Sequence, residues 1–378
     1  MTDDTENLKE KIVESLLSQG FYVNGHVLPG DFNKNAIKQI HDISKLEQIE
    51  LQKNFIENNF NIVSKYFLDM DSFNPNNIEL ELREVKSGSV ESIIYRWWNL
   101  VWWSVPYQKS YGRQMRFLLW DKTHNAPFGL IGLQSPILKM AVRDKFLNIP
   151  KSDLDFWINK SLQAQRLGAL PPYNNLIGGK MTALALTSNE LRAAYFNKYV
   201  DSKTVIKERI IESDLLFITT TSAFGRSSIY NRLNYKGEKV AYNLGYTKGS
   251  GTFHVPQNIY VDIQELLKFN GVNVKTGFGN GPSRKVKLLE RAFSILNLKQ
   301  YHYHNIQREF FFFPIAENYN DVIKNNSRPL YFDRPLDDLF RFWHQRWCLK
   351  RAKSNDEWKD FNYSNFLQTI QNNYNLSL

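Results

Sequence analysis

The sequence is nearly without cysteine, holding Cys348 alone. One thiol closes no internal disulfide. This excludes a disulfide-stapled scaffold and suits a reducing, cytoplasmic setting, the expected location. His344 lies one helical turn before it without third or fourth ligands nearby, so Cys348 reads as a packed thiol. No run of about 18 apolar residues exists, so neither a membrane span nor a membrane partner is expected. The start, Met1 to Glu14, is charged and lacks the apolar stretch of a secretory signal. Also missing are a Walker loop, a Gly-x-Ser-x-Gly elbow and an HExxH helix. Asp337-Asp338 stands without the further carboxylates of a nuclease site, and His302 and His304 lack companion ligands, so no metal is expected.

What is abundant is positive charge and aromatic area. Lys and Arg outnumber Asp and Glu by 48 to 38, a formal charge of +10 that favours an anionic partner. Twenty-six Phe, 19 Tyr and 9 Trp supply large buried area, within an ordinary 42% of hydrophobic residues. A helical N-terminal region over 1–80 is expected, with one amphipathic helix at 5–20 and a second, long one from Lys34 to about Met70. An α/β (α+β) core follows at 81–260, a mixed sheet flanked by helices, then a basic α/β part at 261–378. Trp97, Trp98, Trp102 and Trp103 form either a base-stacking surface or an internal cluster. Gln114–Trp120 and Phe128–Leu133 read as a hairpin. Helices are expected from Ser135 through Leu147, at Asp153–Leu167, at 179–186 and at 188–199, with a strand at Leu215–Thr221.

Two turns carry the candidate chemistry. Asn174, Asn175, Gly178, Gly179 and Lys180 enter a helix, where free N–H groups and the positive dipole end suit a phosphate; the alternative is close packing at the glycines. Gly225, Arg226, Ser227 and Ser228 repeat the arrangement after Leu215–Thr221; the alternative is capping by Ser227. His254, after a Gly-rich turn, is a candidate acid or base, or else a structural histidine. Arg113 and Arg116 begin the hairpin as possible phosphate forks. Arg143-Asp144 reads first as an internal ion pair fixing the hairpin. Gly277–Ser283 precedes a helix bearing Arg284 and Lys285, and Arg346 and Lys350 step along a final helix over 336–352. These basic faces suit nucleic acid, or are solvated surface.

The chain order of hairpin, Gly loop, helix and strand resembles the acetyl-coenzyme A-dependent N-acyltransferases called GNATs, over roughly 80–250. Tyr230-Asn-Arg-Leu-Asn-Tyr235 is similar to their Tyr-x-x-Leu-Gly-Phe pattern. That resemblance implies Tyr230 as a catalytic acid, acetyl-coenzyme A as cofactor and, if the chain is an enzyme, an acyltransferase-like transferase. Only Gly178 matches their phosphate-loop pattern, so no cofactor is assured. Longer stretches resemble the DruA family of the Druantia anti-phage system: Tyr111-Gly-Arg-Gln-Met-Arg-Phe-Leu-Leu-Trp-Asp121, Gly129-Leu-Ile-Gly-Leu-Gln-Ser-Pro136, Thr219-Thr-Thr-Ser-Ala-Phe-Gly-Arg-Ser-Ser-Ile-Tyr230 and Leu244-Gly-Tyr-Thr-Lys-Gly-Ser-Gly-Thr-Phe-His254. This implies antiviral defence, with DNA and other defence subunits as partners. A non-catalytic adaptor docking through 1–80 is the remaining expectation.

Overall fold

The computed structural model describes residues 2–105, 110–204, 207–275 and 284–378, so the expected Gly loop at Gly277–Ser283 lies outside the described residues. The chain runs α1 (Thr2–Ser18), α2 (Lys34–Leu51), β1 (Leu80–Glu84), α3 (Val90–Val101), β2 (Gln114–Asp121), β3 (Ala126–Gln134), β4 (Ser161–Ala169), α4 (Gly178–Ala185), α5 (Asn189–Tyr199), β5 (Phe217–Thr221), β6 (Tyr242–Tyr246), α6 (Gln257–Phe269), α7 (Arg284–Ile295), β7 (Glu309–Pro314), α8 (Leu336–Trp343) and α9 (Tyr363–Tyr374), joined by shorter turns and helices. The seven strands make one mixed sheet in the order β6-β7-β5-β4-β3-β2-β1. The pair β4/β5 is parallel and the other five pairings are antiparallel.

The central strand β3 is buried at all nine positions, as a strand covered on both faces must be. On one face Phe117, Ile131, Phe311 and Phe313 pack with Met181, Tyr195 and Trp343, from α4, α5 and α8. On the other, Leu118, Trp120 and Leu130 pack with Trp97 and Trp98 of α3, while Phe217 and Phe312 pack with Leu147 and Trp157. A separate cluster joins Ile12 and Leu16 of α1 and Ile37 and Ile40 of α2 to Ile263 of α6 and Leu289 of α7. Lys45 of α2 is buried and donates to the Val101 carbonyl at 2.8 Å, which ties α2 to α3. The N-terminal helices therefore share their core with residues beyond 255.

Four expectations need correction. The long helix from Lys34 stops at Leu51 and continues as short segments Lys53–Asn58 and Phe60–Val63. The helix from Ser135 begins only at Ala141. The helix expected at Asp153–Leu167 is a short turn followed by strand β4. A bulge explains the misreading. Opposite β3, the register steps between Gly132 with Arg166 and Leu133 with Ala164. One extra residue resets the two-residue alternation and makes a strand look aperiodic. Trp97 and Trp98, finally, are core residues, fully enclosed, and belong to no stacking surface.

The bulge also shapes the sheet. Strand β4 pairs with β5 only over Ser161–Ala164 with Phe217–Thr220. Beyond it the two strands carry no further pairing, and Thr220 Oγ1 donates to the last shared carbonyl, Ala164, at 2.8 Å. The turns leaving β4 and β5 thus emerge from a parting pair.

Candidate functional site

After β4 the chain makes a short 3-10 turn over Tyr173–Leu176, and Ile177 adopts a left-handed conformation with φ of 60°. Helix α4 then begins at Gly178. A methyl group on Gly178 would meet the Tyr173 carbonyl oxygen at 2.6 Å, Ala169 Cβ at 2.8 Å and Phe128 Cζ at 3.0 Å. Gly178 is therefore required for packing, the alternative the sequence left open. Gly179 faces only the tip of Ile229, whose Cδ1 would lie 3.0 Å from an added Cβ. Asn174 is exposed, while Asn175 donates to the Glu357 carbonyl at 3.0 Å and its own carbonyl accepts from Arg351 at 3.3 Å. The Ile177 carbonyl accepts from Trp343 Nε1 at 3.1 Å. The C-terminal helix thus seats itself on this turn.

That helix departs from α-geometry at His344–Cys348, a single π turn, a device that re-aims side chains and recurs at functional sites. Arg346 and Trp347 lie within it. Lys180 Nζ stands 4.2 Å from the Trp347 ring centre and donates to the Arg232 carbonyl at 3.3 Å. The Arg346 guanidinium lies 5.6 Å from the same ring and 5.8 Å from Phe342. Burial, then Arg346, then Arg232 hold the Lys180 ammonium below the usual lysine range. No ion pair among the described residues neutralises Lys180, Arg232 or Arg346, and both arginines are exposed. Three cations around one indole at the positive end of α4 repel each other, and an anion there relieves all three.

The turn after β5 has a different fate. Ser222 Oγ bonds the Gly225 carbonyl, and Gly225 has φ of 73°. The Ser227 N–H, the group expected to hold a phosphate, donates at 2.7 Å to the Glu309 carboxylate. Asn231 donates to the same oxygen at 2.8 Å, and Asn243 to the other at 2.8 Å. Ser227 Oγ accepts from the Tyr230 N–H at 3.3 Å, the capping role weighed for it. Glu309 is 4% exposed. The anion at this turn is therefore the protein's own side chain. Arg226 and Ser228 remain exposed beside it.

The other candidates scatter. Tyr230 is buried, with ring centres 5.1 Å from Phe311 and 5.9 Å from Phe313, and burial raises its pKa. His254 lies in the cluster with α1. It donates to the Tyr301 carbonyl at 2.8 Å, and burial lowers its pKa to about 4. Arg113 is internal, bonded to the Asn159 carbonyl at 2.7 Å and to the Tyr195 hydroxyl at 2.5 Å. Arg116 is exposed. Arg143 and Asp144 form the expected ion pair at 2.6 Å, with Arg143 also donating to the Ile137 and Leu138 carbonyls. Arg284 bonds the Asn273 carbonyl, and Lys285 lies over the Tyr260 ring at 4.4 Å. Neither presents a free basic face. Lys350 is exposed, two turns' width along the helix that carries Arg346.

Sequence reasoning missed Arg232, Trp347 and Glu309. The signal for Glu309 was available, since a lone carboxylate opens the apolar run Glu309–Pro314. Nothing local marked Arg232. Its importance arises only where α4 and the final helix meet.

The model of the family "Druantia protein DruA" matches residues 31–325. The chain is 31% identical over 373 residues to Druantia protein DruA of Escherichia coli (strain UMEA 4076-1), covering 97% of this chain and 92% of the relative. No solved structure matches it. No helix of the described residues is long and apolar enough to cross a membrane. With a match to most of its length and an identity above 30%, the chain belongs to the DruA family, a component of the Druantia anti-phage defence system.

Proposed function

We propose that this chain serves Druantia defence by binding nucleic acid, DNA in the first place, in concert with other subunits of the system. The observation that carries the reading is the convergence of Lys180, Arg232 and Arg346 on Trp347 without a neutralising carboxylate among the described residues. Clustered like charges are unfavourable in the free protein, and phosphates remove the penalty while releasing counterions. Arg226 and Lys350, both exposed, and the net charge of +10 extend the attraction.

The test is fluorescence anisotropy of labelled duplex and single-stranded DNA over about 50 to 200 mM salt. Affinity falls steeply with salt, and the double variant Lys180→Glu, Arg346→Glu loses at least tenfold while keeping its melting temperature. Binding that ignores salt, or a double variant that binds as well as the parent, would refute the reading.

A second reading rests on the parting of β4 from β5 after the bulge, with a helix entry beside it. This supports a GNAT-like core, in which acetyl-coenzyme A is the cofactor and Tyr230 the acid. Calorimetry with acetyl-coenzyme A tests it, using Lys180→Glu as the site variant. Gly178 is unsuitable because its substitution disturbs Phe128 and Tyr173. Absence of both DNA and cofactor binding leaves an adaptor subunit.

A further inference from the structure

The face of the sheet opposite α4 carries a line of uncharged polar side chains where a core would carry apolar ones. Gln114 lies opposite Gln134, Gln134 opposite Gln163, and Gln163 opposite Thr219, in one register across β2, β3, β4 and β5. Cross-strand partners point to the same face. Thr219 is two residues from Phe217 and opposite Phe312, whose rings lie 4.9 Å apart, so the line shares their side of the sheet. Tyr230 packs on Phe311 and Phe313 of the other side, which the α4 helix covers. The line is thus separate from the cationic notch.

Two members are fully enclosed and incompletely bonded. Gln134 is 6% and Thr219 1% exposed, and neither Gln134 Oε1 nor Thr219 Oγ1 has a hydrogen-bond partner among the described residues. The neighbouring Thr220 shows the ordinary solution, donating to a main-chain carbonyl at 2.8 Å. A buried acceptor left unbonded is unfavourable, and an apolar residue of similar shape would remove the penalty. Such rule-breaking positions concentrate at functional sites. Gln163, Gln165 and Thr221 are half-buried at the rim, Gln165 bonds Ser110 Oγ, and Gln114 donates to the Ser110 carbonyl at 3.3 Å. Arg116, exposed, reaches the Gln114 carbonyl oxygen at 3.5 Å.

We infer that this line is a recognition site for a nucleobase edge. Primary amides and a hydroxyl spaced at the interstrand distance of about 4.8 Å offer alternating acceptors and donors, the pattern with which glutamine reads bases. No charged group stands in the row itself, so what it meets is neutral, a base in place of a phosphate. Arg116 at the rim is positioned for the adjoining phosphate. The inference does not depend on the notch.

Uncharged nucleosides carry no phosphate and therefore test this site alone. Saturation-transfer NMR with adenosine, guanosine, cytidine and thymidine, plus N-methylacetamide as a peptide mimic, reads binding on the full chain. At least one nucleoside receives saturation above the acetamide. The double variant Gln134→Leu, Thr219→Val loses that signal at least tenfold while melting no lower than the parent. Should the double variant misfold, the rim variant Gln163→Leu serves, with the same loss expected. Silence from all four nucleosides, equal response to the acetamide, or undiminished binding by the variants would each overturn the inference.

Discussion

The turn after β4 and the turn after β5 look alike as sequence, each a glycine-bearing entry to a helix after a strand. In the fold they are opposites. The second is closed by Glu309, which takes up the Ser227 N–H and two asparagine amides. The first meets cations only, Lys180 with Arg232 and Arg346. What separates an anion site from a structural turn is whether the chain supplies its own carboxylate, a fact that main-chain amides alone do not encode. The largest effect that would break this contrast is removal of Glu309. Glu309→Ala strands three buried donors and is expected to cost about 3–5 kcal/mol in denaturant unfolding. Inorganic phosphate should then raise the melting temperature of the variant and leave that of the parent unchanged. A variant as stable as the parent would show that the carboxylate is no essential part of the closed turn.

The closed turn has a second dependence, on pH. Phe224 stacks on His41 with ring centres 5.7 Å apart, and Arg308 donates to His41 Nε2 at 2.9 Å. Burial, then the Arg308 charge, lowers the His41 pKa to about 3, and burial lowers that of His254 to about 4. The fold holds both rings neutral. Their contribution is fully present above the unfolded value of 6.5 and is lost as pH falls through the window toward the folded values. At pH 5 the loss is about 2 kcal/mol for each. Denaturant midpoints between pH 7 and 5 check this, and His41→Phe should halve the slope; a flat profile would count against it.

Within the open turn, two adjacent glycines sharpen the comparison. Gly178→Ala forces a methyl into Tyr173, Ala169 and Phe128 and should destabilise by about 1–3 kcal/mol. Gly179→Ala meets only the flexible end of Ile229, and helix propensity favours alanine, so its effect should stay within about 0.5 kcal/mol. Equal costs in thermal melts would contradict the packing role given to Gly178. The smallest expected effect is that of Arg346→Ala, which should lower the slope of log affinity against log salt by about one, with stability unchanged.

Much of the sheet could be read directly. The hairpin 114–133 became β2 and β3, and the apolar run at Leu215–Thr221 became β5, because both alternate or bury cleanly. Strand β4 escaped because its bulge falls between two glutamines and an arginine, where burial and polarity no longer keep step. The helix after Lys34 was drawn too long because Gln52 and Asn59, neither glycine nor proline, end its segments. Of the candidate site, Lys180 and Arg346 were each visible as charges, but their meeting on Trp347 follows from a π turn that leaves no mark in composition. Glu309 lies 82 positions from Ser227, beyond the reach of any local pattern.

Lys180 and Arg232 fall inside the stretch that the family model matches, while Arg346 and Trp347 fall past its end at residue 325. A fragment trimmed to that stretch would keep the lysine and lose the indole beneath it. It would also bare Phe128, whose ring meets Trp343 edge-on at 5.3 Å, and strip the Ile177 carbonyl of its donor. The span recognisable as family is thus shorter than the span that folds, and work on this chain has to keep its last helices in place.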